Sequence, residues 1–172
     1  MTHFRQLRRA ANTPRCRART LFSLDAVAGL SLEEVMNHKR GVIALIVAFL
    51  FVFFFGFLWH GMLMKPAYTE IASHWRTDAD FQSHFWILIV GHFIMAFAFT
   101  GLYISKVGIN SPGTGIGYGI VIGIFCIGLN LIRFTTEPLT SKILCMWIAG
   151  DLIMFAVLGA LVGAIYKPLA DQ

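Results

Sequence analysis

The chain has 172 residues, of which 57% are hydrophobic and 13% charged, with a formal net charge of +5 and a mean hydropathy of +0.70. Soluble domains carry about 25% charged and about 45–50% apolar residues. A water-soluble globule is therefore excluded, as is a disordered chain, which needs low hydrophobicity; the composition is that of a one-domain integral membrane protein.

Charge is uneven along the chain. Residues 1–40 hold eight basic residues (Arg5, Arg8, Arg9, Arg15, Arg17, Arg19, Lys39, Arg40) against three acids (Asp25, Glu33, Glu34). The six basic and six acidic residues from 41 onward cancel. The excess therefore belongs to a basic N-terminal arm, 1–40, ahead of a transmembrane domain over 41–168. The arm has three readings: a solvated arm touching anionic headgroups, an organelle transit peptide, since residues 1–24 are Arg-rich and free of acids, or a translated leader ahead of Met36. No apolar run follows the basic residues before position 41, so it is not a secretory signal. Aromatic interleaving is lacking, so no nucleic-acid partner is expected. Ser31-Leu32-Glu33-Glu34 has capping-box spacing and predicts a short helix from about 32.

Four apolar runs, near 41–64, 84–106, 115–134 and 143–166, are long enough to cross a core about 30 Å thick, which takes about 20 helical residues. Pro66, Pro112, Pro138 and Pro168 fall outside them. The short connections 65–83, 107–114 and 135–142 make neighbours antiparallel, so the expected fold is all-α, an up-down bundle of four transmembrane helices. Lysines and arginines near the span ends are balanced: Lys39, Arg40, Lys106 and Lys167 on one side, Lys65, Arg76, Arg133 and Lys142 on the other. The arginines of the arm break the tie and place both termini in the cytoplasm. The expected location is a bacterial inner membrane, or an organelle inner membrane if the arm is a transit peptide.

Aromatic residues sort by side on this topology. Trp59, Trp75, Trp86 and Trp147 fall at the non-cytoplasmic face, and Tyr103, Tyr118 and Tyr166 at the cytoplasmic one. All seven are expected as headgroup-level anchors. In the longest loop, residues 67–76 predict an interfacial helix with Tyr68, Ile71 and Trp75 on one side, and Asp78 and Asp80 suit the approach to a helix N-terminus.

Small residues mark packing faces. Gly115, Gly119 and Gly123 form a doubled GxxxG in the third span, and Ala156, Gly159, Ala160 and Gly163 a small face in the fourth. These two spans are expected to pack on each other, with a homo-oligomer contact as the alternative. Nine of the 16 phenylalanines crowd into 49–57 and 93–99, faces suited to lipid or a partner protein.

Each span also carries a strongly polar residue: His60, His92, Asn130 and Asp151. All four lie in the same half of the bilayer and, being costly in lipid, are expected to meet inside the bundle. Asn130 shares a face with the three glycines and Cys126. Four chemistries fit such a set: a hydrogen-bonded clamp between helices, a b-type haem held by His60 and His92, a metal ion on His60, His92 and Asp151, or proton or solute transfer. Arg133 is placed either to pair with Glu137 or to reach the headgroups. Cys16, Cys126 and Cys145 lack a CxxC pattern, and no nucleotide, metalloprotease or hydrolase motif occurs.

At Gly56-Phe-Leu-Trp59-His60, and again from Glu137-Pro138-Leu139 through Gly159-Ala-Leu-Val-Gly163, the chain resembles small bacterial four-helix membrane proteins of unknown function, the DUF1761-like group. The likeness spans about residues 41–168. It implies four spans and no activity, and His60 stands where that group carries Tyr. Together these features point to a non-enzymatic accessory or structural subunit of a larger membrane complex. The alternative is a haem, metal, proton or small-solute carrier built on the four polar residues, and a homo-oligomeric channel is a third reading.

Overall fold

The structure is a computed structural model and describes residues 37–167. The expected helix from about 32 and the rest of the arm to residue 36 lie outside the described residues. Among the described residues four helices are long and apolar enough to cross a membrane: His38–Leu63, Asp78–Lys106, Pro112–Thr136 and Ser141–Ile165. The protein is an all-α integral membrane four-helix bundle.

The first span is composite. Helix α1 (His38–Gly56) runs directly into a π-helical segment, Phe57–Leu63. Two short turns follow, α2 (Lys65–Thr69) and a 3₁₀ turn at Ala72–His74. Then come α3 (Asp78–Lys106), α4 (Pro112–Thr136) and α5 (Ser141–Ile165).

The helices extend past the apolar runs because caps, not hydropathy, set their ends. Asn37, Thr77, Ser111 and Thr140 each accept a hydrogen bond, through the side-chain oxygen, from the amide three residues on. Each thereby satisfies one of the N–H groups that a helix start leaves unpaired. Thus α3 begins at Asp78, with Asp78 and Asp80 in its first turn, and Pro112 opens α4, where its missing amide does no harm.

Helices α4 and α5 make the closest pair. A Cβ at Gly115 would strike the Gly159 carbonyl, one at Gly119 the Phe155 carbonyl, and one at Gly123 would lie 3.3 Å from Leu152. Positions rising along α4 meet positions falling along α5, so the two are antiparallel. Lipid is as apolar as leucine, so helices gain little by hiding apolar surface from it and associate through close contact instead. Helix α1 packs on both α3 and α5. Its Ala44, Ala48 and Val52 are fully buried and meet Ala96, Phe99 and Tyr103 of α3 and Phe155, Leu158 and Val162 of α5. Helix α3 reaches α4 mainly through aromatic side chains: Tyr118 packs 4.7 Å from Phe99, centroid to centroid, and donates to the Phe99 carbonyl at 3.1 Å.

Two expectations are corrected. The single interfacial helix over 67–76 is two short turns, with the break at Ile71 (φ −127°, ψ 40°). Its apolar side, Tyr68, Ile71 and Trp75, packs on Met64, Ala67, Leu139, Ile143 and Trp147 and so faces protein. The aromatic anchors also differ. Tyr103 is 0%, Tyr166 1% and Trp147 7% exposed, inside the bundle. The Tyr103 hydroxyl donates to the Ile109 carbonyl at 2.6 Å, and Trp59 Nε1 donates to the Met146 carbonyl at 3.2 Å. The polar tips of Tyr103, Trp59 and Trp147 find partners in the protein and have no need of headgroups, whereas Trp75 Nε1 is buried without one; among the four tryptophans only Trp86, 63% exposed, stands clear of the bundle.

Candidate functional site

The loop end of the bundle is closed by a polar and aromatic cap. It begins at the π-helical segment, where Met64 N–H reaches back to the Trp59 carbonyl at 2.9 Å. A wider turn of this kind concentrates at functional sites. Here it sends two successive side chains to protein partners. Trp59 lies over Gly150 of α5, where any Cβ would strike the indole, and stacks on Phe55 with ring centroids 5.5 Å apart. His60 turns to Tyr68, its Nδ1 lying 2.7 Å from the hydroxyl oxygen.

Tyr68 is the hub. Trp147 Nε1 donates to its hydroxyl at 2.8 Å, and Met64 Sδ lies 3.4 Å away. With the His60 proton on Nε2, the phenol donates to Nδ1 and accepts from Trp147, so all three groups are satisfied. Burial pushes the Tyr68 phenol above its ordinary pKa, against the Trp147 hydrogen bond and the nearby Arg133 charge. The hub is therefore neutral at physiological pH.

The chain of contacts continues through Arg133. Its guanidinium lies 4.7 Å from the Trp147 ring centre, a cation–π position. It grips Glu137 with both arms, Nε to Oε1 at 2.8 Å and Nη2 to Oε2 at 2.9 Å. That grip, chiefly, holds the Glu137 carboxyl below the usual carboxylate range, and His74 at 3.4 Å adds to it. A continuous string thus runs His74, Glu137, Arg133, Trp147, Tyr68, His60 and ties the π-helical end of the first span to α2, α4 and α5. Beside it Lys142 pairs with Glu70 at 2.6 Å.

The four intramembrane polar residues do not form one cluster. Asn130 Nδ2 donates to Asp151 Oδ2 at 2.6 Å, joining α4 to α5. His60 belongs to the Tyr68 cap. His92 stays on α3, its Nδ1 2.7 Å from the Leu88 carbonyl, with its ring against Gly56 of α1 and edge-on to Phe53. Among the described residues no hydrogen bond joins either histidine to the Asn130–Asp151 pair, and no three His, Cys, Asp or Glu side chains are grouped to hold a metal ion. The metal set His60, His92 and Asp151 is therefore corrected. His92 Nε2 is turned onto the α1 backbone, 2.9 Å from where a Gly56 Cβ would stand. Cys126 and Cys145 are free thiols; Cys16 lies outside the described residues.

Sequence reasoning missed Tyr68 as the hub and Trp147 as its donor. The signal was present: two aromatic residues with polar tips near one end of the bundle. Both were assigned to the lipid interface, where such tips are equally at home. No known protein family, curated protein or solved structure matches the chain.

Proposed function

We propose that the protein is a non-enzymatic, membrane-embedded accessory subunit of a larger membrane assembly, with both termini in the cytoplasm of a bacterial cell. One observation carries the reading. Gly91, Ala98, Gly101 and Ser105 follow one another on α3 at heptad-like spacing, all exposed, and a Cβ at either glycine would meet nothing within 4 Å. Gly117 and Gly128 leave similar open notches on α4. A bare backbone facing lipid forgoes contacts that a neighbouring helix would supply, and small residues are the mark of helix–helix interfaces in membranes. The doubled GxxxG of α4 serves the bundle's own packing, so these outward stripes are what remains for a partner. The large apolar residues around them face the bilayer.

The reading is tested on native gels in mild detergent. The wild-type chain is expected to migrate within a complex of higher mass. Replacing Gly91 and Gly101 with Trp is expected to release it while leaving its unfolding temperature unchanged. A wild-type chain that migrates alone with full stability overturns the proposal, and a complex made only of this chain replaces it with a homo-oligomer.

A further inference from the structure

We propose that helices α1 and α5 hold one anionic phospholipid, its phosphate at Arg40, Lys39 and Lys167 and an acyl chain in the groove beyond them. The inference stands apart from the subunit reading and rests on the lipid-facing side of α1.

Two independent features meet there. The first is charge. Lys39, Arg40 and Lys106 are exposed and Lys167 half-buried at the end of the bundle opposite the cap, with no acidic residue there among the described residues. At the cap end, by contrast, four basic residues meet four acids, and Arg76–Asp80, Arg133–Glu137 and Lys142–Glu70 are joined as pairs. Lys39 and Arg40 also sit in the first turn of α1, which carries no acid. A helix N-terminus already bears partial positive charge, so two cations there add to it, and an anion placed against them gains from both.

The second feature is shape. A shallow groove of about 430 Å³ is lined by Val47, Leu50, Phe51, Phe54, Phe55 and Leu58 of the first span with Leu161 of α5. Positions 40, 47, 51, 54 and 58 are spaced i, i+7, i+11, i+14 and i+18, so Arg40 stands on the same stripe of the helix as the groove. Val47 lies about 10 Å along the axis from Arg40, and the groove then runs about 16 Å to Leu58, at 1.5 Å per residue. A headgroup at Arg40 would therefore hang its chain into the groove. Lys167 follows the C-terminus of α5, the helix that gives the groove Leu161.

The test uses the full chain in mild detergent, titrated with dioleoyl phosphatidylglycerol or dioleoyl phosphatidylcholine and read by native mass spectrometry. Phosphatidylglycerol is expected to be retained over phosphatidylcholine. Arg40→Gln is expected to lower its affinity about fivefold, the worth of one basic side chain at a lipid surface. Leu50→Trp, which fills the groove and leaves the charge intact, is expected to lower it as well. Replacing the six arginines at positions 5, 8, 9, 15, 17 and 19 with Gln is expected to leave it. Equal retention of the two lipids overturns the site, as does full retention by both Arg40→Gln and Leu50→Trp. So does loss in the six-arginine variant alone, or displacement by inorganic phosphate. A protein that leaves on Leu50→Trp while phosphatidylglycerol stays would show that a partner helix fills the groove, and would equally overturn it.

Discussion

A single hydroxyl, that of Tyr68, serves two partners at once, so its loss strands both. Tyr68→Phe leaves the Trp147 N–H, on a side chain only 7% exposed, without an acceptor. A buried polar group so orphaned costs about 1–3 kcal/mol. The expected outcome is a fall in unfolding free energy of that size, with a change in tryptophan fluorescence as the indole shifts. Glu137 gives the cap a pH dependence of definite sign. Its carboxyl is held low by Arg133, so its contribution is complete above the ordinary carboxylate pKa of about 4.3 and is lost as pH falls through the lowered value. Thermal unfolding followed downward from neutral pH is expected to show an acid limb that Arg133→Gln removes. How far single residues can be read from sequence is plain at Asn130 and Asp151. They are expected to meet, though counted from the helix ends their Cα atoms lie about 9 and about 15 Å deep. Yet side chains on antiparallel helices each tilt toward their own N-terminus, so Asn130 leans inward, Asp151 leans outward, and the two meet.

At the scale of the elements, existence was legible and boundaries were not. Twenty or so apolar residues require a helix in lipid, because no water is present to satisfy the backbone. That requirement stops at the headgroups, and beyond it Asn37, Thr77, Ser111 and Thr140 decide where each helix starts. The π-helical segment left no trace in hydropathy, since a wider turn changes which neighbours a residue meets and not what the residue is. The α4–α5 seam sets a sharper test. A side chain at Gly119 meets backbone of Phe155, which cannot step aside. Gly119→Leu is expected to cost at least about 1–3 kcal/mol, the usual price of overpacking. Gly117→Leu, two residues away and facing open space, is expected to cost far less. Unfolding of both variants in the same detergent separates packing at this seam from the general effect of replacing glycine.

For the whole molecule, sequence order and spatial order differ in one respect that matters. Antiparallel neighbours followed from short connections, but α1 also packs against α5, distant in sequence, and α3 meets α4 chiefly through Tyr118 and its aromatic neighbours. Helical phase alone does not reveal such an arrangement, because in lipid an apolar face is content against either a helix or a chain. The α3–α4 loop adds to it from a distance: Asn110 Nδ2 lies 3.3, 3.2 and 2.7 Å from the carbonyls of Gly163, Ala164 and Tyr166, the end of α5.

These contacts bear on biosynthesis. Helices enter a membrane in the order in which the ribosome delivers them, and α5 follows the other three spans. Until it arrives, Ala44, Ala48 and Val52 lack half of their cover, the glycines of α4 face lipid, Asn130 has no carboxylate and Asn110 no carbonyls. The hydrogen bonds of Trp59, Asn110 and Asn130 and the close backbone contacts of Gly115 and Gly119 are all completed by α5. A chain stopped before residue 141 would therefore lack the contacts that α5 gives to α1 and α4, and it is expected to unfold at a lower temperature than the full chain.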